Sequence, residues 1–430
     1  MTKAEKIKNT LKETKERRKD QTCRSYLIKV DMSHLSQKKL KLLDRLFLEA
    51  KWFYNHAIAN DLFKLDYKIK LAIVKVKDKF EERKLETISS QIKQGILYDA
   101  KNSIINLAKK KNNGCRVGML RFKSYMQSIP LKQYGITYKI INDKYIKIQN
   151  IKGLIKVNGL KQIPEYAEIA NARLIHRHGD YFLRIVTFIH KDDIAKEYKE
   201  KKRTLPTTDT AIAIDFGIDK QLAFSNGISA RYNIQPTKRL KKLYQSFSRT
   251  KKGSKNRQKI ISKIQKEYEK INSQKRDIKN KIVSYLKYNY NYICHQKENL
   301  KTWQYIYGKK VLNTAIGGII SALKERARTL TPVDRSFPST KRCSVCKSMK
   351  NMRLSDRVYI CDNCGNVMDR DYNATLNILY EGFSQVPVEH REFKPAETLA
   401  STLKMLEYLN SIPYLKASLV RETGSLTASA

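Results

Sequence analysis

Two acids stand one residue apart in "CGNVMDRDYNATLNIL", residues 364–379: Asp369 and Asp371. A third, Asp215, ends the apolar run "AIAID" and is followed by Phe-Gly. An acid closing a buried strand is costly unless it faces something positive. Capping a turn is the other role open to it. Asp371 opens a helical pattern, where a carboxylate suits the positive helix end. It shares a helical face with Ala374, Thr375 and Ile378, so it is expected to point inward. No period fixes the direction of Asp369. Glu298 follows the strand-like "YNYICHQ" in "HQKENLKTW". Acids brought together from strand ends and a helix start could hold two Mg²⁺ ions about 4 Å apart. Such a pair activates water and stabilises the leaving oxygen of a phosphodiester. Magnesium is hard and takes oxygen ligands, which is why this trio should be carboxylates.

A second constellation is "CSVCKSMKNMRLSDRVYICDNC": two Cys-x2-Cys knuckles separated by a fourteen-residue loop. Cys343, Cys346, Cys361 and Cys364 offer the four thiolates of a closed, structural Zn²⁺ site with no open catalytic position. Cys23, Cys115 and Cys294 are scattered and read as small hydrophobes.

Composition bounds the partner. The 430 residues carry 87 Lys+Arg against 41 Asp+Glu, a formal net charge of +46. Such an excess calls for a polyanion, and nucleic acid is the expected one. With 41% hydrophobic residues the chain can fold, and its length suggests two or three domains. The longest apolar runs are too short to span a bilayer. The basic N-terminus lacks the apolar centre of a signal peptide. A prokaryotic cytoplasm or nucleoid is the expected location, with no membrane partner.

Elements must then position these groups. Residues 1–20 alternate charge at helical spacing and read as a basic arm. A strand near residue 25 is expected to complete a small β-barrel formed by 126–200, where apolar and polar residues alternate between Asn-Asp, Asn-Gly and Gly-Asp turns. Between them, 36–125 reads as a helical insertion with Ser36 as N-cap. "KDDIAKEYKEKKRTLPTTDT" (191–210) reads as a polar linker. Residues 201–339 and 366–380 then form an α/β layer domain, with a strongly basic helix pair over 238–289. The cysteine ribbon (340–365) is inserted before its last helix. Residues 381–430 read as a mobile tail with a weak helix near 396–410.

With those residues in view, the chain resembles TnpB, the transposon-encoded RNA-guided nuclease related to compact type V CRISPR effectors. The matching motifs are "IDFGIDKQLAFSNG", "KKGSKNRQK" with "SQKRD", "QKENLKTW", "FPSTKRCSVC", "CDNCG" and "DRDYNATLNIL", in that order over 210–380. "YLIKV", "AKWFYNHAI" and "GDYFLRIVTF" match more loosely in the first half. The resemblance implies a wedge β-barrel with an inserted helical recognition lobe, then an RNase H-like RuvC nuclease domain with an inserted zinc ribbon. It carries the catalytic carboxylates over to Asp215, Glu298 and Asp371. Asp369 is left as a neighbour that caps the helix or tunes the site. Some relatives carry an acid where this chain has Lys297. Arg370 reads either as steadying a phosphate or as a surface ion pair. The implied partners are a guide RNA and a double-stranded DNA target read beside a short flanking motif. A compact CRISPR effector and a nuclease-inactive RNA-guided repressor are the alternatives, and monomer or dimer stays open.

Overall fold

The computed structural model describes residues 2–76, 79–200, 210–232, 234, 236–353, 355–385 and 399–420. Contacts divide the chain into two compact units, residues 1–200 and 201–430.

The first unit opens with helix α1 (Lys3–Arg17), started by a Thr2–Glu5 capping box, and strand β1 (Gln21–Val30). Next come α2 (Gln37–Ala59), β2 (Leu71–Val76), β3 (Lys79–Lys84) and α3 (Ser90–Asn112). Strands β4 (Ser128–Leu131), β5 (Tyr138–Asn142), β6 (Tyr145–Ile148) and β7 (Ile155–Asn158) precede the long hairpin β8 (Glu168–Arg177) and β9 (Asp180–His190). Seven strands form one antiparallel sheet in the order β4-β8-β9-β1-β7-β6-β5. β1 sits inside it, pairing with β9 on one side and β7 on the other. The Tyr138 hydroxyl donates to the Ala170 carbonyl (2.9 Å), reaching from β5 to β8 as the sheet curls. Leu43, Leu46 and Phe53 of α2 and Ile92 and Ile96 of α3 share one core with Ile28 and Leu183 of the sheet. Buried Glu49 is held by Arg45 (2.7 Å) and accepts from the Thr87 and Ile88 amides, fixing the lead into α3.

Two expectations change here. The insertion is not wholly helical: β2 and β3 form a hairpin between α2 and α3. "LAIVKV" alternates at period two with β-branched residues, which suits a pleated strand. The expected linker begins as helix α4 (Lys191–Glu200), whose Glu197 pairs with Arg24 of β1 at 2.9 Å. The linker's remainder, 201–209, lies outside the described residues.

The second unit begins with a meander, β10 (Ala211–Phe216), β11 (Leu222–Phe224) and β12 (Ile228–Tyr232). The basic helix pair follows as α5 (Lys238–Ser248) and α6 (Lys255–Asn289), with Ser254 capping α6. Then come β13 (Tyr292–Gln296), the helices α7 (Leu300–Tyr307), α8 (Lys309–Thr314) and α9 (Ile316–Arg326), and β14 (Thr329–Val333). The hairpin β15 (Val358–Ile360) and β16 (Val367–Asp369) leads straight into α10 (Arg370–Ser384). The chain continues with α11 (Leu399–Asn410) and β17 (Leu415–Leu419).

These strands form a six-stranded sheet in the order β14-β13-β10-β11-β12-β17. β10, β13 and β14 run parallel, so their carboxyl ends share one edge. β11, β12 and β17 pair antiparallel. Strand alternation sorts the faces. Ile212, Ile214 and Ile293 pack with α6, α9 and α11. Ala213, Cys294 and Val333 pack on the other face against Ile378 of α10.

Part of the expected mobile tail is therefore built structure. β17 pairs with β12 over five positions, from Ile228↔Leu419 to Tyr232↔Leu415. Met405 and Leu409 of α11 are buried in the core. The weak helix expected near 396–410 is α11, and the apolar spacing of "LASTLKMLEYL" supplies its buried face. Residues 386–398 and 421–430 lie outside the described residues.

The seat of α10 on the sheet is tight at Gly382. A Cβ there would lie 2.6 Å from the Cys294 Sγ and 2.8 Å from its Cβ. Gly382→Ala is expected to destabilise this unit by about 2 kcal/mol despite alanine's better helix propensity. Denaturant unfolding of the variant checks it, and an unchanged midpoint would mean that the helix shifts freely.

Candidate active site and cysteine knuckle

Asp215 is the fifth residue of β10. Period two places it on the α10 face with Ala213, opposite in direction to Ile212 and Ile214. Beyond it the chain turns sharply through Gly217, where a Cβ would strike the Lys220 carbonyl oxygen. Glu298 lies two residues past the end of β13, on the same sheet edge. The polar lead-in before it has a job. The Gln296 amide donates to the Phe337 carbonyl (2.7 Å) and accepts from the Ser339 hydroxyl (2.7 Å). The Lys297 amide donates to the Val333 carbonyl at 3.0 Å. These bonds pin the segment that presents Glu298.

Asp371 sits in the first turn of α10, and Ala374, Thr375 and Ile378 on its face are all buried. Asp369 is the N-cap: its carboxylate accepts from the Asp371 amide (2.9 Å) and the Tyr372 amide (3.0 Å). The two acids thus divide the labour, one starting the helix and the other facing inward. Asp369→Ala is expected to cost about 1 kcal/mol of stability through the lost cap, with Asp369→Asn milder because asparagine caps equally well. Thermal unfolding of both variants tests the division; equal losses would point to the charge and not the cap.

Asp215, Glu298 and Asp371 line one cavity of about 600 Å³. Asp215 is enclosed by protein on most sides yet keeps a partial opening to that space. Burial, then the neighbouring charges of Asp371 and Glu298, push its carboxyl up to about 8. Burial pushes Glu298 up to about 7 against the opposing pull of Arg335. Carboxyls held this far above their usual range lack water and close positive partners. Cations do line the same cavity, among them Lys297, Lys310, Arg335 and Arg357. Lys220 Nζ lies 2.6 Å from Asp369 and 3.6 Å from Asp371, and Arg370 lies 3.4 Å from Asp371. The oxygen donors of the three carboxylates fit a hard divalent cation. The carboxylates share the cavity without closing into a single cage; among the described residues, the four cysteines are the one group of three or more such ligands whose atoms all lie within 4.8 Å of one another.

That cysteine cluster could bind zinc. The Sγ atoms of Cys343 and Cys364 lie 3.7 Å apart, and those of Cys346 and Cys361 3.4 Å. A tetrahedron with Zn–S bonds of about 2.3 Å has edges of about 3.8 Å. Sequence reasoning missed how the knuckle is tied to α10. Asn373 accepts from the Ser344 amide (2.9 Å) and donates to the Arg342 carbonyl (2.7 Å). Asn377 donates to the carbonyls of Arg342 (2.6 Å) and Ser339 (2.9 Å). Their i, i+4 spacing on one helix face was the available signal.

Fold and site together define a mixed α/β protein with a cavity holding three carboxylates at a parallel sheet edge and a four-cysteine knuckle beside it. Comparisons with known proteins agree in kind. The family described as "Cas12f1-like, TNB domain" matches residues 319–378, and that described as "Probable transposase" matches 194–300. A protein of Streptomyces pristinaespiralis named "Putative RNA-guided DNA endonuclease" is 26% identical over 277 residues, 61% of this chain and 65% of that one. "TnpB-like protein L79" of Acanthamoeba polyphaga mimivirus is 28% identical over 148 residues, 30% of this chain and 27% of that one. The chain thus spans less than two thirds of the length of either relative. A chain from "Cryo-EM structure of the Cas12f1-sgRNA-target DNA complex" aligns with 83% of this chain and 99% of its own, at 15% identity and a TM-score of 0.25. Over these stretches the chain is similar to the TnpB-like and RNA-guided endonuclease relatives that its motifs resemble.

Proposed function

We propose that the protein is an RNA-guided DNA endonuclease of a transposon, in which Asp215, Glu298 and Asp371 are the catalytic carboxylates. The convergence of these three acids on one cavity, with two of them held far above their usual protonation range, carries the reading. The strand order supports an RNase H-like, RuvC-type domain: a three-strand meander, β10 to β12, extended from β10 by the parallel β13 and β14. In this reading the first unit is the wedge barrel, with the 36–125 insertion as its recognition lobe.

Two Mg²⁺ ions, held by the three carboxylates, would activate water and stabilise the leaving oxygen of a phosphodiester. The protein's own groups do the rest. β10, the segment after β13 and the first turn of α10 fix where the oxygens point. Lys220 and Arg370 temper the charge of Asp371. The cysteine knuckle, with all four thiolates engaged and no open position, would hold a structural zinc that anchors α10.

A net charge of +46 and the name of the Streptomyces relative support a guide RNA and a DNA target as partners. Base pairing would then supply sequence specificity, with the protein reading backbone and a short flanking motif. The retained acids weigh against a binding-only repressor. The test is purification from cells carrying the native flanking DNA, sequencing of retained RNA, and a cleavage assay with Mg²⁺. One discrete RNA ending in a variable segment, with cutting of matching DNA, is expected. A smear of cellular RNA, or cutting that ignores the guide, would overturn the reading.

A further inference from the structure

A second cavity, of about 440 Å³, adjoins the carboxylate cavity, and Lys220 and Arg357 line both. Its remaining wall comes from β12, β15, β17 and Asp369 at the end of β16. β17 lies beyond both family matches, which end at residues 300 and 378.

The pairing of β12 with β17 sets an unusual arrangement. Arg231 stands directly opposite Lys416, and Ser229 directly opposite Ser418. Directly opposed residues of antiparallel strands point to the same face with Cβ atoms about 5 Å apart, and like charges so placed repel. Both side chains are exposed, and neither forms an ion pair among the described residues. An anion seated between them would offset the cost of this pair. Two residues along the same face, the Ser229 and Ser418 hydroxyls lie 3.3 Å apart and add donors. This polar ladder repeats every two residues, about 6.7 Å along the strands.

Arg357 enters from the knuckle hairpin, 3.5 Å from Asp219. Lys220 is already engaged by Asp369 and Asp371. Of the residues lining the groove, four are cations and one, Asp369, is an acid. A ligand that satisfies Arg231 and Lys416 and also reaches Lys220 and Arg357 must carry anionic groups at intervals. A phosphodiester backbone does so.

We propose that this groove seats the backbone of the single DNA strand that enters the carboxylate cavity. Arg231 and Lys416 bracket one phosphate, and Lys220 and Arg357 receive the next beside the carboxylates. The inference rests on the nuclease reading above for the identity of the strand, and on the β12–β17 register for its path.

The test uses the full chain with a photocrosslinking benzoyl-phenylalanine at position 418, and the same probe at position 144, an exposed site on the other compact unit, as control for generic charge. Labelled single-stranded DNA and RNA of one sequence are added with Ca²⁺ in place of Mg²⁺, so that no strand is cut. Strong crosslinking to DNA at 418, reduced about tenfold by Arg231→Gln with Lys416→Gln, is expected. The control at 144 should not respond to the double substitution. Because that substitution removes a like-charge contact, the melting temperature should hold or rise, which separates lost binding from lost folding. Equal crosslinking at both positions, no response to the double variant, or preference for RNA overturns the proposal. Cutting by a protein that fails this test removes the groove and leaves the nuclease reading. Crosslinking without any cutting keeps the groove and removes that reading.

Discussion

Asp215→Asn is expected to reduce DNA cutting at least about a thousandfold while RNA and target binding stay within about twofold. The substitution keeps shape and volume but removes the charge at the base of the cavity. Single-turnover cleavage and gel-shift binding, run in parallel, make the comparison. Lost binding together with lost cutting would mean that the acid supports the fold instead of the chemistry.

The same substitution has a pH signature. The raised values of Asp215 and Glu298, about 8 and about 7, mean that the folded protein without a cation keeps protons that an unfolded chain has released. The stability they contribute is full below the ordinary carboxylate range and is lost as pH rises through about 7 and 8. Without a divalent cation, the melting temperature should therefore be lower above about pH 8 than near pH 6. Mg²⁺ should restore it at the higher pH. In Asp215→Asn both the pH dependence and the Mg²⁺ rescue should shrink, because one of the repelling charges is gone. A full Mg²⁺ rescue in the variant would remove Asp215 from the set of cation ligands.

Cys343→Ser is expected to release zinc and to destabilise the second unit by about 4 kcal/mol or more, since a structural metal's binding energy is folding energy. The consequence should reach beyond the knuckle. β16 runs into α10 without a linker, and Asn373 and Asn377 tie the helix to the knuckle's backbone at Arg342 and Ser344. Loosening the knuckle therefore loosens the helix that carries Asp371, so cutting should fall in the same variant even at temperatures where the unit stays folded. Elemental analysis reads the metal, denaturant unfolding the stability and single-turnover cleavage the activity. Purified wild type without zinc would remove the metal role, whereas stable, zinc-free but fully active Cys343→Ser would remove the link to α10.

Much of the site was legible because its signals are local. The knuckle spacing is a property of consecutive residues, and the four sulfurs do come together. Asp371 could be told from Asp369 by helical period alone, and the structure gives Asp369 the cap and Asp371 the inward face. The apolar run before Asp215 marked a buried strand. Glu298 was harder, since "HQK" carries no strand pattern; its position depends on Gln296 gripping the loop after β14, 41 residues along the chain.

The sequence by itself determined the residue types, the charge excess and the local periods, because each is written in neighbours a few positions apart. It foresaw the helix near 396–410 but not its burial or the strand at 415–419, where proline and serine content spoke for a mobile tail. Only the tertiary structure could pair β17 with β12, set Arg231 against Lys416, and bring three acids from positions 215, 298 and 371 to one edge. Strand pairing and helix seating depend on which distant faces can be buried together. That choice is made by packing over the whole sheet, at separations no local period encodes.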